Sequence, residues 1–274
     1  MGDPAEPQDV DAALVETLGF LTLRREGDKW IGDAPDWFGE FLFGGFVIAQ
    51  AIVAATQDAP DGRRLHSMHA YFLRPITSTG PISYRVSTLR EGRAFATRRV
   101  EATQFDKPAL EMTCSFSADV DAGVYVYDLP SISDVPPPEA YEPEPGPGPW
   151  VAGWVGATEP RADGTRESTH RMWFKIPRSL PDDAHLHTAL LGFASDWTGV
   201  GGRPLHLEGD IDGMVSLDHA AWFHRAARAD EWLLYDVHSL VNAGGRGLLR
   251  GVMRDRGGAV VASVAQEMRL TPVG

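Results

Sequence analysis

The sequence predicts an α+β fold of two tandem units, each built from one long helix wrapped by an antiparallel sheet. The first observation is a pair of apolar runs, GGFVIAQAIVAATQDAP from Gly44 and PDDAHLHTALLGFASD over 181–196. The run from Gly44 is apolar nearly all round, which is typical of an enclosed helix rather than an amphipathic surface helix. The second observation is that strand-like residues follow both runs, and a sheet wrapped round each helix would satisfy its burial.

The elements ahead of the first long helix are short. The run VDAALVETLGF over 10–20 has helical apolar spacing, and Gly19 marks its stop. The following FLTLRREGDKWIGDA predicts two short strands about a turn at 26–28. After the long helix, turns such as REGR and FDK separate four strand-like runs, which are 65–73, 82–90, 94–104 and 108–118.

An abrupt change in composition separates the two units. The stretch PSISDVPPPEAYEPEPGPGPW is dense in Pro, Glu and Gly, so it predicts neither a helix nor a ladder but a stiff linker outside the core. Beyond it, THRMWFKIP predicts a strand, the second apolar run a helix, and the C-terminal part further strands. We therefore divide the chain into an N-terminal unit at 1–120, a linker at 121–166 and a C-terminal unit at 167–274.

The two units are copies of one sequence pattern. Residues 67–117 match 218–268 without a gap at an offset of 151, whereas the helices match as 51–58 against 189–196 at an offset of 138. The second copy therefore carries 13 extra residues after its helix, within WTGVGGRPLHLEGDIDGMV. A match across strands and turns alike indicates duplication, so each copy is predicted to be a hotdog and the chain a double hotdog. The identical pairs include Ala70/Ala221, Phe72/Phe223, Arg74/Arg225, Tyr84/Tyr235, Val86/Val237, Leu89/Leu240 and Arg99/Arg250.

Composition and charge limit the class of protein. The chain has 274 residues, of which 43% are hydrophobic, and this is enough for a substantial core. A net charge of −13 argues against a nucleic-acid partner or an anionic membrane surface, since each requires a basic face. The chain contains no apolar run as long as a membrane span, and the N-terminus MGDPAEPQDVD is acidic, so we expect a cytoplasmic protein. Cys114, alone within LEMTCSFSA, is expected to be a buried strand thiol.

Several longer motifs follow one another along the chain. The first copy contains HSMHAYFLRP and LREGRAFATRRVEATQFDKPALEMTCSFSA, and the second contains LDHAAWFHR, EWLLYDVHS, GRGLLRG and GAVVASVAQE. Together they resemble the acyl-CoA thioesterase II family. This resemblance implies a double hotdog that hydrolyses fatty acyl-CoA with an Asp, a Ser or Thr, and a Gln in the second hotdog, which by motif are Asp196, Ser216 and Gln266. The chain departs from the family at Phe46, where a Gln usually follows the two glycines.

The duplication predicts how many sites the chain carries. At the offsets above, the positions matching Asp196, Ser216 and Gln266 in the first copy are Asp58, Leu65 and Ser115. The second copy combines the acid, the hydroxyl and the amide, whereas the first does not. We therefore predict one competent site per chain, with the first copy as structural partner and pocket wall.

The three residue types suit hydrolysis of a thioester. This reaction needs a positioned water, a group that takes its proton, and donors for the developing oxyanion. Asp196 would orient and deprotonate the water, while Ser216 and Gln266 fix its direction. A helix C-terminus and the apolar neighbours Phe193 and Trp197 disfavour the charged carboxylate and make it more basic. We expect no metal, because a thioester carbonyl is reactive enough without one, and no cofactor, because CoA enters as part of the substrate.

Two other residues are candidates for substrate binding. Trp197 follows Asp196 directly, and Arg246 lies in NAGGRGLLRG, which lacks the Lys and the strand-to-helix context of a P-loop. We therefore interpret this run as a strand turn in which Arg246 is a candidate contact for the CoA phosphates. The resemblance also implies a homo-oligomer, a dimer or larger, because double-hotdog units commonly pair through sheet edges.

Other interpretations of these residues stay open. Asp196 could have no role beyond capping the turn after its helix. Alternatively, the protein could be a hydratase or dehydratase, which would need His219 with Asp218 to move a carbon-bound proton. A non-catalytic acyl-binding protein would use the polar trio only to satisfy its own hydrogen bonds. The absence of a GxSxG elbow argues against a serine hydrolase. A metal site is not expected because neither a Cys nor a carboxylate motif accompanies the histidine pairs. These pairs are His66 with His69, His185 with His187, and His219 with His224.

Overall fold

The computed structural model describes residues 10–35, 39–118, 126, 129, 131–146, 148–155, 169–197 and 211–272. Its helices are α1 (Val10–Phe20), α2 (Gly44–Gln57) and α3 (Ala184–Ser195), with 3₁₀ turns at Ile132–Asp134 and Pro138–Ala140. Its strands are β1 (Arg24–Glu26), β2 (Lys29–Gly32), β3 (Arg64–Phe72), β4 (Ile82–Glu91), β5 (Phe95–Gln104), β6 (Lys107–Ser117), β7 (Glu144–Pro145), β8 (Val151–Val155), β9 (Thr169–Lys175), β10 (Ile211–Ser216), β11 (Asp218–Phe223), β12 (Leu233–Ala243), β13 (Arg246–Asp255) and β14 (Val260–Pro272).

The described strands form one continuous antiparallel sheet. Their order is β1-β2-β4-β5-β6-β3-β11-β14-β13-β12-β9-β8-β7, and β10 pairs with β14 beside this path. The two halves of the sheet meet where β3 pairs with β11, for example at Ala70 and His219. The pair β4 and β5 recurs as β12 and β13 at the offset of 151 found in the sequence. The predicted α+β double hotdog is therefore confirmed.

The two long helices lie inside this sheet and against each other. Phe46 and Ile52 of α2 and Phe193 of α3 are completely buried. At Gly192, a Cβ atom would clash with the side chain of Ile52, so the missing side chain lets the two helices approach closely. This close contact brings the beginning of α2 to the end of α3, where the polar trio is expected.

The predicted linker at 121–166 differs from the structure at its C-terminal side. Strand β8 pairs with β9, and Trp150 is completely buried against Phe174. The prediction of a segment that forms no ladder and stays outside the core is therefore wrong for this stretch. Its cause is the run WVAGWV over 150–155, whose alternating apolar residues suit a strand but directly follow the Pro-rich composition.

The Pro-rich residues themselves cover the outer face of the sheet. Val135 packs with Trp173 and Leu234 in a small apolar cluster separate from the main core. The indole Nε1 of Trp173 donates a hydrogen bond of 2.9 Å to the carbonyl oxygen of Pro136. Proline lacks a backbone N–H, so side-chain packing holds this part of the segment, and only the short strand β7 near its end joins the sheet by pairing with β8.

Two predicted features lie outside the described residues, namely the acidic N-terminus at 1–9 and most of the Gly-rich insertion, 198–210. Among the described residues, Cys114 is completely buried in β6 as expected, and burial raises the pKa of its thiol. A search of the described helices for one long and apolar enough to cross a membrane finds none.

Candidate active site

Asp196, Ser216 and Gln266 converge in the second hotdog. The side-chain nitrogen of Gln266 donates 2.6 Å hydrogen bonds to Asp196 Oδ1 and to Ser216 Oγ. Ser216 Oγ in turn donates a long hydrogen bond of 3.5 Å to the same Asp196 oxygen. Residues separated by up to 70 positions thus form one closed polar triangle.

Three different elements position these side chains. Asp196 is the residue that caps the C-terminus of α3, and its backbone N–H bonds to Ala194. Ser216 is the last residue of β10, opposite Met268 of β14, which places it beside Gln266. Side chains alternate between the faces of a strand, so Gln266 points into the core with no exposed surface while its neighbour Glu267 lies on the outer face.

The beginning of α2 faces the carboxylate of Asp196. The backbone N–H of Gly45 donates a hydrogen bond to this carboxylate, and the positive end of a helix favours a negative charge there. A Cβ atom on Gly44 would lie 2.7 Å from Asp196 Oδ2, and one on Gly45 would clash with the carbonyl oxygen of Phe193. The two glycines therefore let the first hotdog contribute to a site of the second.

Burial sets the acid–base properties of Asp196. The residue is 4% exposed, and this desolvation raises the pKa of its carboxyl to about 7. Hydrogen bonds from Gln266, Gly45 and Ser216 act in the opposite direction because they stabilise the charged form. The predicted direction of this pKa change is confirmed. A carboxyl group that ionises near neutrality suits proton transfer from water.

A second layer of polar residues lies behind the trio and was not foreseen as a group. His219 Nε2 is 2.7 Å from Ser195 Oγ, and its Nδ1 is 4.0 Å from Asp196 Oδ1. The Tyr235 hydroxyl donates a hydrogen bond of 2.7 Å to the carbonyl oxygen of Ser195. Burial lowers the pKa of His219 to about 4 and raises the pKa of Tyr235, so both are neutral near neutral pH. The strand alternation of LDHAAWF, with His219 inward, is the sequence signal for this layer.

Comparison with known proteins assigns both halves of the chain. A family model described as the acyl-CoA thioesterase N-terminal domain matches residues 34–117, and one described as the acyl-CoA thioesterase C-terminal domain matches residues 134–270. The chain belongs to the acyl-CoA thioesterase family. Acyl-CoA thioesterase 2 of Haemophilus influenzae is 32% identical over 93% of this chain and 96% of its own length. Acyl-coenzyme A thioesterase 8 of Homo sapiens is 29% identical over 97% of this chain and 91% of its own length.

The fold agrees with a solved structure of the acyl-CoA thioesterase family. The crystal structure of acyl-CoA thioesterase II TesB2 from Mycobacterium marinum superposes with a TM-score of 0.79 and 32% sequence identity. The match covers 94% of this chain and 99% of that chain. The similarity therefore extends over both hotdogs.

The two residues predicted to bind substrate lie in different environments of the acyl-CoA thioesterase fold. Trp197 is 2% exposed and packs on Trp150 at 5.5 Å between ring centroids. Arg246 lies at the surface at the start of β13, where its Nε is 3.0 Å from Glu267 Oε1 and its side chain is 51% exposed. Trp197 supports the site from the aromatic core, and substrate contact by either residue stays a prediction.

The first hotdog of this acyl-CoA thioesterase family member carries different groups at the positions that match the trio. Asp58 caps α2, and its carboxylate accepts a hydrogen bond of 3.1 Å from the indole of Trp30. Leu65 offers no hydroxyl. The assignment of Ser115 to the Gln266 position is wrong by one residue, because Gln266 lies opposite Leu249 whereas Cys114 lies opposite the equivalent Arg98.

One additional residue in a turn causes this difference of register. Gln104 pairs with Lys107 between β5 and β6, whereas the equivalent Asp255 bonds to Ala259 between β13 and β14. The gapless match of the two sequences therefore slips by one position in the last strand. A thiol then occupies the Gln266 position in the first hotdog, so the first hotdog still lacks the amide. One competent site per chain therefore stays a prediction.

Three of the paired histidines make hydrogen bonds within the protein. His66 bonds to Ser115 at 2.8 Å and His224 to Ser263 at 2.9 Å, while His187 Nδ1 accepts from the backbone N–H of Ala229. Within the part of the chain that the structure describes, His, Cys, Asp and Glu form no group of three or more that could hold a metal ion.

Proposed function

We propose that this chain hydrolyses acyl-CoA thioesters to a carboxylic acid and free CoA, with Asp196 as the general base. The observation that carries the proposal is a buried carboxyl with a pKa near 7, held by Gln266 and Ser216 in a member of the acyl-CoA thioesterase family. The two relatives described above are both named acyl-CoA thioesterases.

The proposed reaction is a direct attack by water. Asp196 accepts a proton from the water as its oxygen bonds to the thioester carbon. The tetrahedral intermediate then collapses, the bond from carbon to sulfur breaks, and the departing thiolate of CoA takes the proton from Asp196, which restores the carboxylate. Gln266 donates one amide hydrogen to Asp196 and the other to Ser216. These hydrogen bonds fix the orientation of the carboxylate before substrate binds. Water, base and substrate complete this chemistry without a cofactor.

The hydratase interpretation loses the residue pair on which it depends. Asp218 and His219 are adjacent in β11, so their side chains point to opposite faces of the sheet. Asp218 accepts a hydrogen bond of 2.8 Å from the backbone of Glu267, whereas His219 is buried beside Asp196. They do not form a joint acid–base pair. Action in the cytoplasm and assembly into a homo-oligomer remain predictions that accompany the proposed function.

Release of free thiol is the direct test of the proposed function. Short, medium and long acyl-CoA substrates are each expected to yield free CoA, measured with a thiol reagent, at rates proportional to enzyme concentration. Mass spectrometry of the acyl product distinguishes hydrolysis from addition of water across a double bond. Acyl-CoA binding without thiol release at every chain length would contradict the proposal and favour a non-catalytic acyl-binding protein.

The rate is also expected to depend on pH through Asp196. Since only the ionised carboxylate can take a proton, kcat/KM should rise with pH through about 7, the pKa of Asp196, and then become constant. The measurement is kcat/KM from about pH 5.5 to about pH 8.5, after subtraction of spontaneous hydrolysis. A constant value over this whole range would show that Asp196 is not the titrating base.

A further inference from the structure

Tyr235 joins the sheet of the second hotdog to the last carbonyl group of α3. Its side chain is completely buried in β12, and its hydroxyl donates a hydrogen bond of 2.7 Å to the carbonyl oxygen of Ser195. Ser195 is the last residue of α3, and the carbonyl groups of the last helical turn have no partner within a helix. The same peptide group carries the backbone N–H of Asp196. Tyr235 therefore fixes the peptide group directly ahead of the carboxylate.

A glycine in the neighbouring strand makes room for this tyrosine. Gly251 of β13 pairs with Val237 of β12 and thus lies diagonally opposite Tyr235. A Cβ atom on Gly251 would lie 2.4 Å from Tyr235 Cε2 and 2.8 Å from its hydroxyl oxygen. Both distances are too short for a Cβ atom, so any side chain at this position would push the ring aside.

The first hotdog has the same tyrosine without this glycine. Tyr84 matches Tyr235 at the offset of 151 and is also completely buried. Val100 stands at the position of Gly251, since it pairs with Val86 as Gly251 pairs with the matching valine of β12. The Tyr84 hydroxyl donates its one hydrogen to Gln50 Oε1, at 2.7 Å, in the middle of α2 rather than at its end. The bond from a tyrosine to a helix end thus belongs to the half of the chain that carries the polar trio.

The hydrogen bond of Tyr235 also acts on the charge of Asp196. A carbonyl oxygen at a helix C-terminus carries a partial negative charge, which disfavours a neighbouring carboxylate, and the hydrogen of the hydroxyl offsets part of this charge. The other titratable group that faces Asp196 is His219 of β11, which burial keeps neutral near neutral pH. The groups that donate hydrogen bonds to Asp196 without titrating are Gln266, Ser216 and the backbone N–H of Gly45.

We propose that Tyr235 and Gly251 are positioning residues, which hold the end of α3 and with it the Asp196 carboxylate in the reactive position. The inference rests on the proposed function of Asp196 as general base. Tyr235 fixes the peptide group before Asp196, and Gly251 fixes the place of the Tyr235 ring. Both act through Asp196 and not through contact with the substrate.

The test compares pH profiles of kcat and kcat/KM for the wild type, Tyr235→Phe and the matched control Tyr84→Phe in the free-thiol assay. Each substitution removes one buried hydrogen bond of 2.7 Å, so both should lower the unfolding temperature by similar amounts. Tyr235→Phe should also lower kcat about tenfold at unchanged KM, a factor that corresponds to the net contribution of one hydrogen bond. Its acid limb should move to higher pH, because the uncovered carbonyl group makes the carboxylate harder to ionise. Tyr84→Phe should keep the wild-type profile.

Gly251→Ala tests the same contact without removing the hydroxyl. Its methyl group displaces the Tyr235 ring, so kcat and the acid limb should change in the same direction as in Tyr235→Phe. In the double variant the two losses should not add, because both substitutions remove the same interaction. Additive losses would overturn the role of Gly251.

Equal effects of Tyr235→Phe and Tyr84→Phe on kcat would overturn the proposal, because the loss would then be one of general stability. A wild-type kcat in Tyr235→Phe would overturn it as well, as would a fall in kcat with an acid limb that stays in place or moves to lower pH. If Gly251→Ala fails to fold, the two tyrosine variants decide the question, since phenylalanine keeps the ring. Failure of the proposed function would appear separately, as a wild-type protein that releases no thiol.

Discussion

Asp196→Asn is expected to lower kcat for acyl-CoA hydrolysis by about 10²- to 10⁴-fold, the usual contribution of a general base. Asn has nearly the same shape and still offers Oδ1 to Gln266, whose amide lies 2.6 Å from that oxygen. It cannot take a proton from water, so binding should change much less than kcat. The measurement is thiol release at saturating substrate for the wild type and the variant.

The stability of Asp196→Asn provides an independent check on the same carboxyl group. The pKa of Asp196 rises from 3.8 to about 7 on folding, so the protonated form is favoured in the folded protein. Its stabilising contribution is therefore complete below pH 3.8 and is lost as pH rises through about 7, a loss of about 4 kcal/mol at 1.36 kcal/mol per tenfold change in proton affinity. Asn does not titrate. The free energy of unfolding of the variant relative to the wild type should thus increase by about 2–3 kcal/mol between about pH 5 and about pH 8.

Asp58→Asn is the matched control for this experiment. Asp58 caps α2 as Asp196 caps α3, but its carboxylate lies beside Trp30 and Arg25 in the first hotdog. Its replacement should leave kcat within about twofold of the wild type. A fully active Asp196→Asn would show that another group takes the proton, and equal losses in the two variants would contradict the prediction of one site per chain.

Much of the fold follows from the sequence because the duplication and the turns divide the chain into regular elements. The predicted run 94–104 became β5 (Phe95–Gln104), and its copy became β13 (Arg246–Asp255). The strand β8 is hard to predict because the alternating run that begins at Trp150 directly follows the Pro-rich composition. Burial of that indole against Phe174 depends on a distant strand, which local sequence does not reveal.

The trio itself was predicted by resemblance, and the structure adds what connects it to the rest of the molecule. Gly45 and His219 approach Asp196 from elements that are remote in sequence, and no local pattern relates these three positions. The slip between Ser115 and Cys114 has a different cause. One additional turn residue changes which residues of the following strand point into the core. A gapless match of residue identities does not reveal that change.

Gly44→Ala is the second substitution with a large expected effect, because its methyl group would occupy the space of the carboxylate. The added Cβ would lie 2.7 Å from Asp196 Oδ2 and 2.9 Å from Phe72 Cζ. Asp196 must then move away from the beginning of α2, and displacement of a catalytic group by about 1 Å can lower the rate about 10²-fold. We therefore expect kcat to fall by about two orders of magnitude, measured by thiol release at saturating acyl-CoA.

The same change at Gly19 separates this steric effect from the general effect of replacing glycine in a helix. Gly19 lies in α1, and a Cβ atom there would meet nothing within 4 Å. Alanine is favoured over glycine in helices by about 1 kcal/mol, so Gly19→Ala should be fully active and equally or more stable. If Gly44→Ala retained the wild-type kcat and unfolding temperature, Asp196 would have room to move without loss of function. The closed arrangement of α2, Asp196 and Gln266 would then not be the geometry in which the reaction occurs.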